Sequence, residues 1–314
     1  MLIKPLIYQA FPVQFRYSGM ASCKSFSVLI LTVSAGFLAI LWRDTFDLEL
    51  LLGSRVLLTG ASKGIGEQMA YHYARFGAEL VITARNETRL RQVEEKCLEL
   101  GAKKVYSYPA DMSFPTSPQR VVQFALEKLG SLDYLVLNHI GNDRFQMWDG
   151  NAEDVSWLMQ VNFLSYVQLT AAALPALIKN NGSIVVVSSL CGKLAIPFAT
   201  AYSASKFALD GFFTALRHEL AMQGKNVSVT LCILAMIDTN SAMEKVKSVN
   251  IRMMTVSPAS ESALAIIKGG AARAQEIYYP WWTTLTVSIR DWFPEMRDKL
   301  IRSSFQEKSK EDGS

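Results

Sequence analysis

The feature that most narrows what this chain can fold into is a glycine-rich turn, Thr59-Gly60-Ala61-Ser62-Lys63-Gly64-Ile65-Gly66. It follows an apolar run, Arg55-Val56-Leu57-Leu58-Thr59, that reads as a buried strand, and it leads into helical periodicity reaching Phe76. Glycines at such a junction let the backbone turn tightly and approach a pyrophosphate held at a helix amino terminus. The spacing is TGxxxGxG, and its place between strand and helix gives it weight. The same rhythm continues along the chain. Strands are expected at residues 80–83, 104–108, 132–137, 183–187, 227–233 and 276–278, and helices at 87–100, 119–129, 152–179, 202–222 and 259–272. Pro175 is expected to kink the helix that contains it. Alternating strands and helices predict an α/β fold, a doubly wound parallel sheet covered on both faces, in a single domain over residues 53–280.

Half of the 314 residues are hydrophobic (50%) and 19% are charged. This excludes a disordered chain and leaves an excess of apolar residues to place. Residues 25–42, SFSVLILTVSAGFLAILW, carry no charge and approach the roughly 20 residues that span a bilayer as a helix. Lys4, Arg16 and Lys24 precede this run, and Arg43, Asp44, Asp47 and Glu49 follow it. That asymmetry predicts an uncleaved anchor at 25–42 behind a short tail at 1–24, with the body of the protein across the membrane from the cytosol. A cleaved signal peptide and a buried core helix are the alternatives. In the extension 281–314, Trp281, Trp282, Trp292 and Phe293 stand among Arg290, Arg297 and Arg302, a pattern that suits an apolar surface at a membrane. The segment 303–314 is polar and expected to be disordered. A net charge of +4 with no long basic run excludes nucleic acid as the main partner. Cys23, Cys97, Cys191 and Cys232 lack metal-ligand spacing, so buried free thiols and no metal site are expected.

Arg85 stands at the end of the second strand, where an enzyme specific for NAD would place an acid on the ribose 2′-hydroxyl. With Lys63 nearby it suits a 2′-phosphate, which predicts NADP(H). Tyr202-Ser203-Ala204-Ser205-Lys206 puts a phenol and an ammonium four residues apart, on one helix face. A neighbouring cation favours phenolate and lowers a phenol's pKa, making a general acid/base for an alcohol or ketone oxygen. Ser188-Ser189 closes the strand Ile184-Val185-Val186-Val187, at the crevice where such sheets bind ligands. His72, His139 and His218 stand isolated in sequence and read more readily as packed or surface histidines than as bases.

Together TGASKGIG, YSASK and the upstream serine resemble the short-chain dehydrogenase/reductase family, with its Rossmann-like sheet. Asn138-His139-Ile140-Gly141 is similar to the family's NNAG motif with two substitutions, and Asn162 matches its catalytic-helix asparagine. The segments 161–167, 181–190 and 201–213 resemble the 11β-hydroxysteroid dehydrogenase branch. The resemblance implies that Tyr202 is the acid/base, that Lys206 lowers its pKa and binds the nicotinamide ribose, that Ser189 and Tyr202 meet the substrate oxygen, and that Asn162 supports a relay water. It implies that Gly60, Ala61, Ser62, Lys63, Gly64, Ile65, Gly66, Arg85, Asp111, Met112, Asn138, His139, Ile140, Tyr202, Lys206, Ile237, Asp238 and Thr239 line the cofactor. An apolar pocket for a steroid is expected from residues 191–200 and 235–254. The chain departs from the branch at Leu234-Ala235-Met236, where Pro-Gly is usual, and at Ile196, where a tyrosine contacts substrate.

The implied activity is NADP(H)-dependent interconversion of a hydroxyl and a keto group on a steroid of cortisol/cortisone type. Two alternatives stand beside it: reduction of another apolar carbonyl (a retinoid, another steroid or a lipid ketone), and a cofactor-binding scaffold with little turnover. A homodimer through the long helix is implied by the family. Sequons at Asn86, Asn181 and Asn226 fit a lumenal glycoprotein of the endoplasmic reticulum membrane, with secretion after cleavage as the alternative.

Overall fold

The computed structural model describes residues 51–245, 249–251 and 255–307, together with Thr32. The expected anchor at 25–42, apart from Thr32, lies outside the described residues, as does 308–314. The chain divides into two compact units, Met1–Thr45 and Phe46–Ser314, and the second is described here.

Its elements begin with β1 (Arg55–Thr59), α1 (Gly64–Arg75), β2 (Glu79–Ala84), α2 (Glu87–Glu99), β3 (Val105–Pro109), α3 (Ser117–Leu129) and β4 (Tyr134–Leu137). There follow α4 (Ala152–Met159), a π-helical turn (Gln160–Leu164), α5 (Ser165–Lys179), β5 (Ser183–Val187), α6 (Thr200–Met222) and β6 (Ser228–Leu234). The last part holds β7 (Ile237–Asp238), α7 (Asn240–Lys245), β8 (Val249–Ile251), β9 (Ser257–Pro258), α8 (Ala259–Ala271), β10 (Glu276–Tyr279), α9 (Thr283–Ile289), α10 (Pro294–Ser304) and β11 (Phe305–Glu307).

Seven strands form one parallel sheet in the order β3-β2-β1-β4-β5-β6-β10. The period of two along each strand sorts its side chains between two cores. Val56 and Leu58 of β1 and Val185 and Val187 of β5 pack with α1, α2 and α8. Leu57, Ile184 and Val186 face the other way, against α3, α5 and α6. Every residue of β5 is buried, and each such aliphatic side chain contributes about 1.5–3 kcal/mol. The strand order reverses between β1 and β4, and in open α/β sheets the ligand crevice opens there, at the carboxyl ends of the strands.

Two expectations need correction. The helix expected over 152–179 is one helical run, but the π-turn at Gln160–Leu164 divides it, ahead of Pro175. The segment from residue 303 is ordered as far as Glu307: Ser303 and Ser304 end α10, and β11 pairs antiparallel with β8, Phe305 opposite Ile251. Phe305 finds an apolar niche there with Phe145, Phe198 and Val249, which a polar tail does not advertise.

Candidate active site

Helix α1 starts with no side chain capping it, since the N-cap Lys63 makes no side-chain cap hydrogen bond. Its first N–H groups are therefore presented to an anion. Two glycines are required for this geometry. Gly60 has φ +70, and a Cβ there would lie 2.7 Å from His139 Cα; a Cβ on Gly66 would lie 2.2 Å from the Gly60 carbonyl oxygen. Asn138 stitches the turn to β4: its Nδ2 donates to the Thr59 and Gly60 carbonyls at 3.1 and 3.2 Å, and its backbone N–H donates to Thr59 Oγ1 at 2.9 Å.

A cavity of about 1550 Å³ opens from this turn. Gly60, Ser62, Lys63, Gly64, Ile65, Gly66, Arg85, Asp111, Met112, Asn138, His139, Ile140, Ile237, Asp238 and Thr239 line it, with Tyr202, Lys206 and Ser189 further along. Ala61 does not join them: it is fully buried in the core beneath the turn. Arg89, on the first turn of α2, also lines the cavity beside Lys63 and Arg85. An uncapped helix start, a close backbone turn and these cations around one part of the cavity fit the phosphates of a dinucleotide. Asn86, a sequon residue, lines the same end and caps α2 by accepting from Arg89 N at 2.9 Å.

At the middle of the cavity three elements converge. Ser189 leaves the end of β5, where its Oγ accepts from Cys191 N at 3.1 Å, and it lines the cavity with Tyr202. Helix α6 carries Tyr202 and Lys206 on one face. Lys206 is 1% exposed. Its Nζ donates to the Val187 carbonyl at 3.0 Å and lies 5.7 Å from the Tyr202 ring centroid and 5.6 Å from that of Tyr166. Burial raises the Tyr202 pKa above its ordinary value of 10.0, Cys191 adding to the shift and the Ser189 side chain opposing it. The sequence pattern predicts a phenol lowered by Lys206; in this geometry burial dominates. Asn162 is fully buried on the π-turn. Its Oδ1 accepts from Gly141 N at 2.7 Å, and its Nδ2 donates to Ser205 Oγ at 3.1 Å. Ser205 in turn donates to the Tyr202 carbonyl at 2.7 Å.

The far end of the cavity is apolar. Phe145, Ile196, Ile251, Leu300, Ile301 and Phe305 line it, with Asn142, Asp143, Cys191, Thr255 and Ser304 among the polar residues of the same cavity. Phe145, Leu300 and Phe305 escape the sequence reading because they lie outside the segments that the family pattern marks. The loop after Ser189 is tied down by Lys193, whose Nζ pairs with Asp210 Oδ1 of α6 at 2.6 Å and Glu276 Oε1 of β10 at 3.0 Å. Arg290 Nη1, just past α9, donates to the Lys193 carbonyl at 2.9 Å.

Comparison with known proteins agrees with this geometry. The family model for short chain dehydrogenase matches residues 54–250. The hydroxysteroid 11-beta-dehydrogenase 1-like protein of Gallus gallus is 65% identical over 253 residues, covering 79% of this chain and 88% of that one. The protein of the same name from Danio rerio is 55% identical over 280 residues, covering 88% and 96%. Among solved structures, a short chain dehydrogenase of Burkholderia cenocepacia in complex with NADP has a TM-score of 0.64 at 25% identity, covering 73% of this chain and 96% of its own. A short chain dehydrogenase/reductase of Burkholderia phymatum in complex with NAD shares the fold with a TM-score of 0.70 at 23% identity, covering 79% and 96%.

Proposed function

Because the chain belongs to the short-chain dehydrogenase family and is thus an oxidoreductase working with a nicotinamide dinucleotide, we propose that it interconverts a keto and a hydroxyl group on a steroid of cortisone/cortisol type, using NADP(H). One observation carries the reading: Ser189, Tyr202 and Lys206 meet where the cation-lined, glycine-walled end of the cavity joins its apolar end. The relatives' shared name supports the steroid class.

In the reductive direction the Ser189 hydroxyl and the Tyr202 phenol both donate to the carbonyl oxygen, and the phenol gives up its proton as the oxygen takes on charge. NADPH, when bound, supplies the hydride. Lys206 holds the cofactor ribose and stabilises the phenolate left behind. Asn162 keeps the π-turn, Gly141 and α6 in register, and supports a relay water that returns a proton to the phenol. Lys63, Arg85 and Arg89 take the 2′-phosphate. The apolar far end excludes water and holds the substrate rings.

The test is a substrate panel with NADPH and NADP⁺: cortisone, cortisol, retinal and a long-chain ketone. Turnover of cortisone or cortisol supports the reading. Turnover of another ketone alone would transfer the function to a carbonyl reductase of other apolar substrates. That second reading has one observation in its favour, the aliphatic Ile196 on the cavity wall where the steroid branch carries a tyrosine. The Tyr202→Phe variant is expected to lose about 10²–10⁴-fold in kcat while still binding NADPH; undiminished turnover would defeat the mechanism.

Location and assembly belong to the same reading. An anchor at 25–42 would hold the domain on the lumenal side of the endoplasmic reticulum membrane, and retention in the pellet after alkaline carbonate extraction tests this against a cleaved, secreted form. Asn181 and Asn226 are exposed and open to a glycan, whereas a glycan on Asn86 would intrude on the cofactor end. The apolar outer faces of the 152–179 helix and of α6 fit a second copy, giving a homodimer.

A further inference from the structure

We propose that His139 is a positioning residue that sets where Asn162 and Lys206 stand. This rests on the catalytic reading above and adds a part that reading does not contain.

The starting point is the π-turn. Ser165 N–H bonds the Gln160 carbonyl, five residues back, so it does not serve the Val161 carbonyl, its partner in an ordinary α-helix. His139 and Ser165 attend to that carbonyl instead. The imidazole Nε2 lies 3.1 Å from Val161 O and 2.7 Å from Ser165 Oγ, and Ser165 Oγ donates to Val161 O at 2.6 Å. On the other side of the ring, Nδ1 lies 2.9 Å from Thr59 Oγ1. Hydrogen on Nε2 serves Val161 O and Ser165 Oγ together, and Nδ1 then accepts from the Thr59 hydroxyl, which turns to it from the Val136 carbonyl 3.2 Å away. His139 therefore braces the π-turn against the end of β1, one residue before Asn162. Two residues further along the same loop, Gly141 N fixes the Asn162 side chain at 2.7 Å.

A second arm reaches the lysine. The His139 carbonyl accepts from Tyr166 OH at 2.7 Å, and the two rings lie 4.6 Å apart. The Tyr166 ring faces Lys206 Nζ at 5.6 Å. A phenol held by the residue 139 carbonyl, its ring set by contact with the imidazole, thus stands as close to the ammonium as the Tyr202 ring does. The imidazole is neutral at working pH. Burial, with the Lys206 and Arg85 cations, holds its pKa down at about 3, against the Val161 hydrogen bond and Asp111. It is a fixed brace rather than a proton carrier.

The test compares the full chain with its His139→Asn and His139→Phe variants. Asparagine is the type of residue the family motif carries, and the phenyl ring keeps volume without the hydrogen bonds. First, turnover of a ketone by the unaltered protein with NADPH checks the catalytic reading alone. The variants then report on His139. We expect kcat to fall at least tenfold and KM for the ketone to change less than threefold. NADPH binding, read by fluorescence, should persist. The alkaline midpoint of the alcohol-oxidation profile should move up by at least half a pH unit, because a displaced ammonium stabilises phenolate less. If His139→Phe does not fold, His139→Asn decides the matter. Variants with lowered melting temperature but a pH profile superimposable on that of the unaltered protein would overturn the proposal and leave His139 a packing residue.

Discussion

At the residue scale the proposed chemistry turns on the protonation of one buried phenol. Tyr202 is raised by burial, and in the mechanism proposed above reduction needs it protonated while oxidation needs the phenolate. The protonated form is complete below the raised pKa and is lost as pH climbs through it. Ketone reduction is therefore expected to stay flat between about pH 6 and 8, and alcohol oxidation to rise by about tenfold per pH unit over that range. Steady-state rates in both directions check this, and an oxidation rate indifferent to pH would contradict it. Lys63 and Arg85 bear on cofactor choice. Removing either as alanine should weaken NADPH binding roughly tenfold, since charge-assisted hydrogen bonds contribute about 1.5–3 kcal/mol and exposure discounts them. NADH binding should change little, as fluorescence titration would show. Tyr202 and Lys206 were legible because their relation is local, four residues on one helix. The brace made by His139 was not, because Thr59, Val161 and Ser165 come from distant parts of the chain; sequence alone presents His139 as an isolated histidine.

Elements show the same division. The sheet strands and their helices follow from short apolar runs and glycine turns, and their ends fall within a few residues of expectation. The π-turn has no such signal, since five residues of wider coil leave the apolar periodicity of 152–179 nearly intact. The antiparallel pair β8–β11 was also hidden. Its pairing joins segments more than fifty residues apart, and one apolar residue, Phe305, sits in a polar run. That strap makes its own prediction. Phe305 pairs with Ile251 and packs against the Phe145–Phe198 cluster on the apolar wall, so Phe305→Ala should raise KM for a steroid by several-fold to about tenfold, the value of partly burying a phenyl ring. NADPH affinity should not move. Equal KM values in variant and unaltered protein would place the strap outside the substrate's reach.

At the scale of the whole molecule, the question is what the apolar excess covers. Much of it fills the two cores. Some remains outside: the Ala152–Lys179 run is apolar and long enough to cross a membrane by composition, yet 44% of its most apolar window is buried against its own sheet. It exposes Trp157 and Leu164, and α6, which packs on the same helical run, exposes Phe207. In the homodimer proposed above a second copy of the chain covers that outer face, since the inner face is already committed to the sheet. Replacing Leu164 and Phe207 together by glutamate should convert the protein to monomers, read by light scattering after size exclusion; a mass unchanged from that of an unaltered dimer would rule this face out. A further apolar surface flanks α9, with Trp281 before it and Trp292 and Phe293 between it and α10, all exposed.

Lys193 has a consequence for traffic through the site. Its ammonium joins the loop after Ser189 to the catalytic helix and to the last strand of the sheet, and its carbonyl is held by Arg290. A loop moored at so many points makes a poor door, since swinging it outward would drag the tyrosine with it. The softer wall is the opposite one, where three residues of β11 rest on β8. Parting that strip would open the apolar end while leaving the Ser189 and Lys206 hydrogen bonds in place, at the cost of lifting Phe305 from the cluster that Tyr202 also packs against. A substrate admitted by that route would be screened for shape before it met a single reacting group.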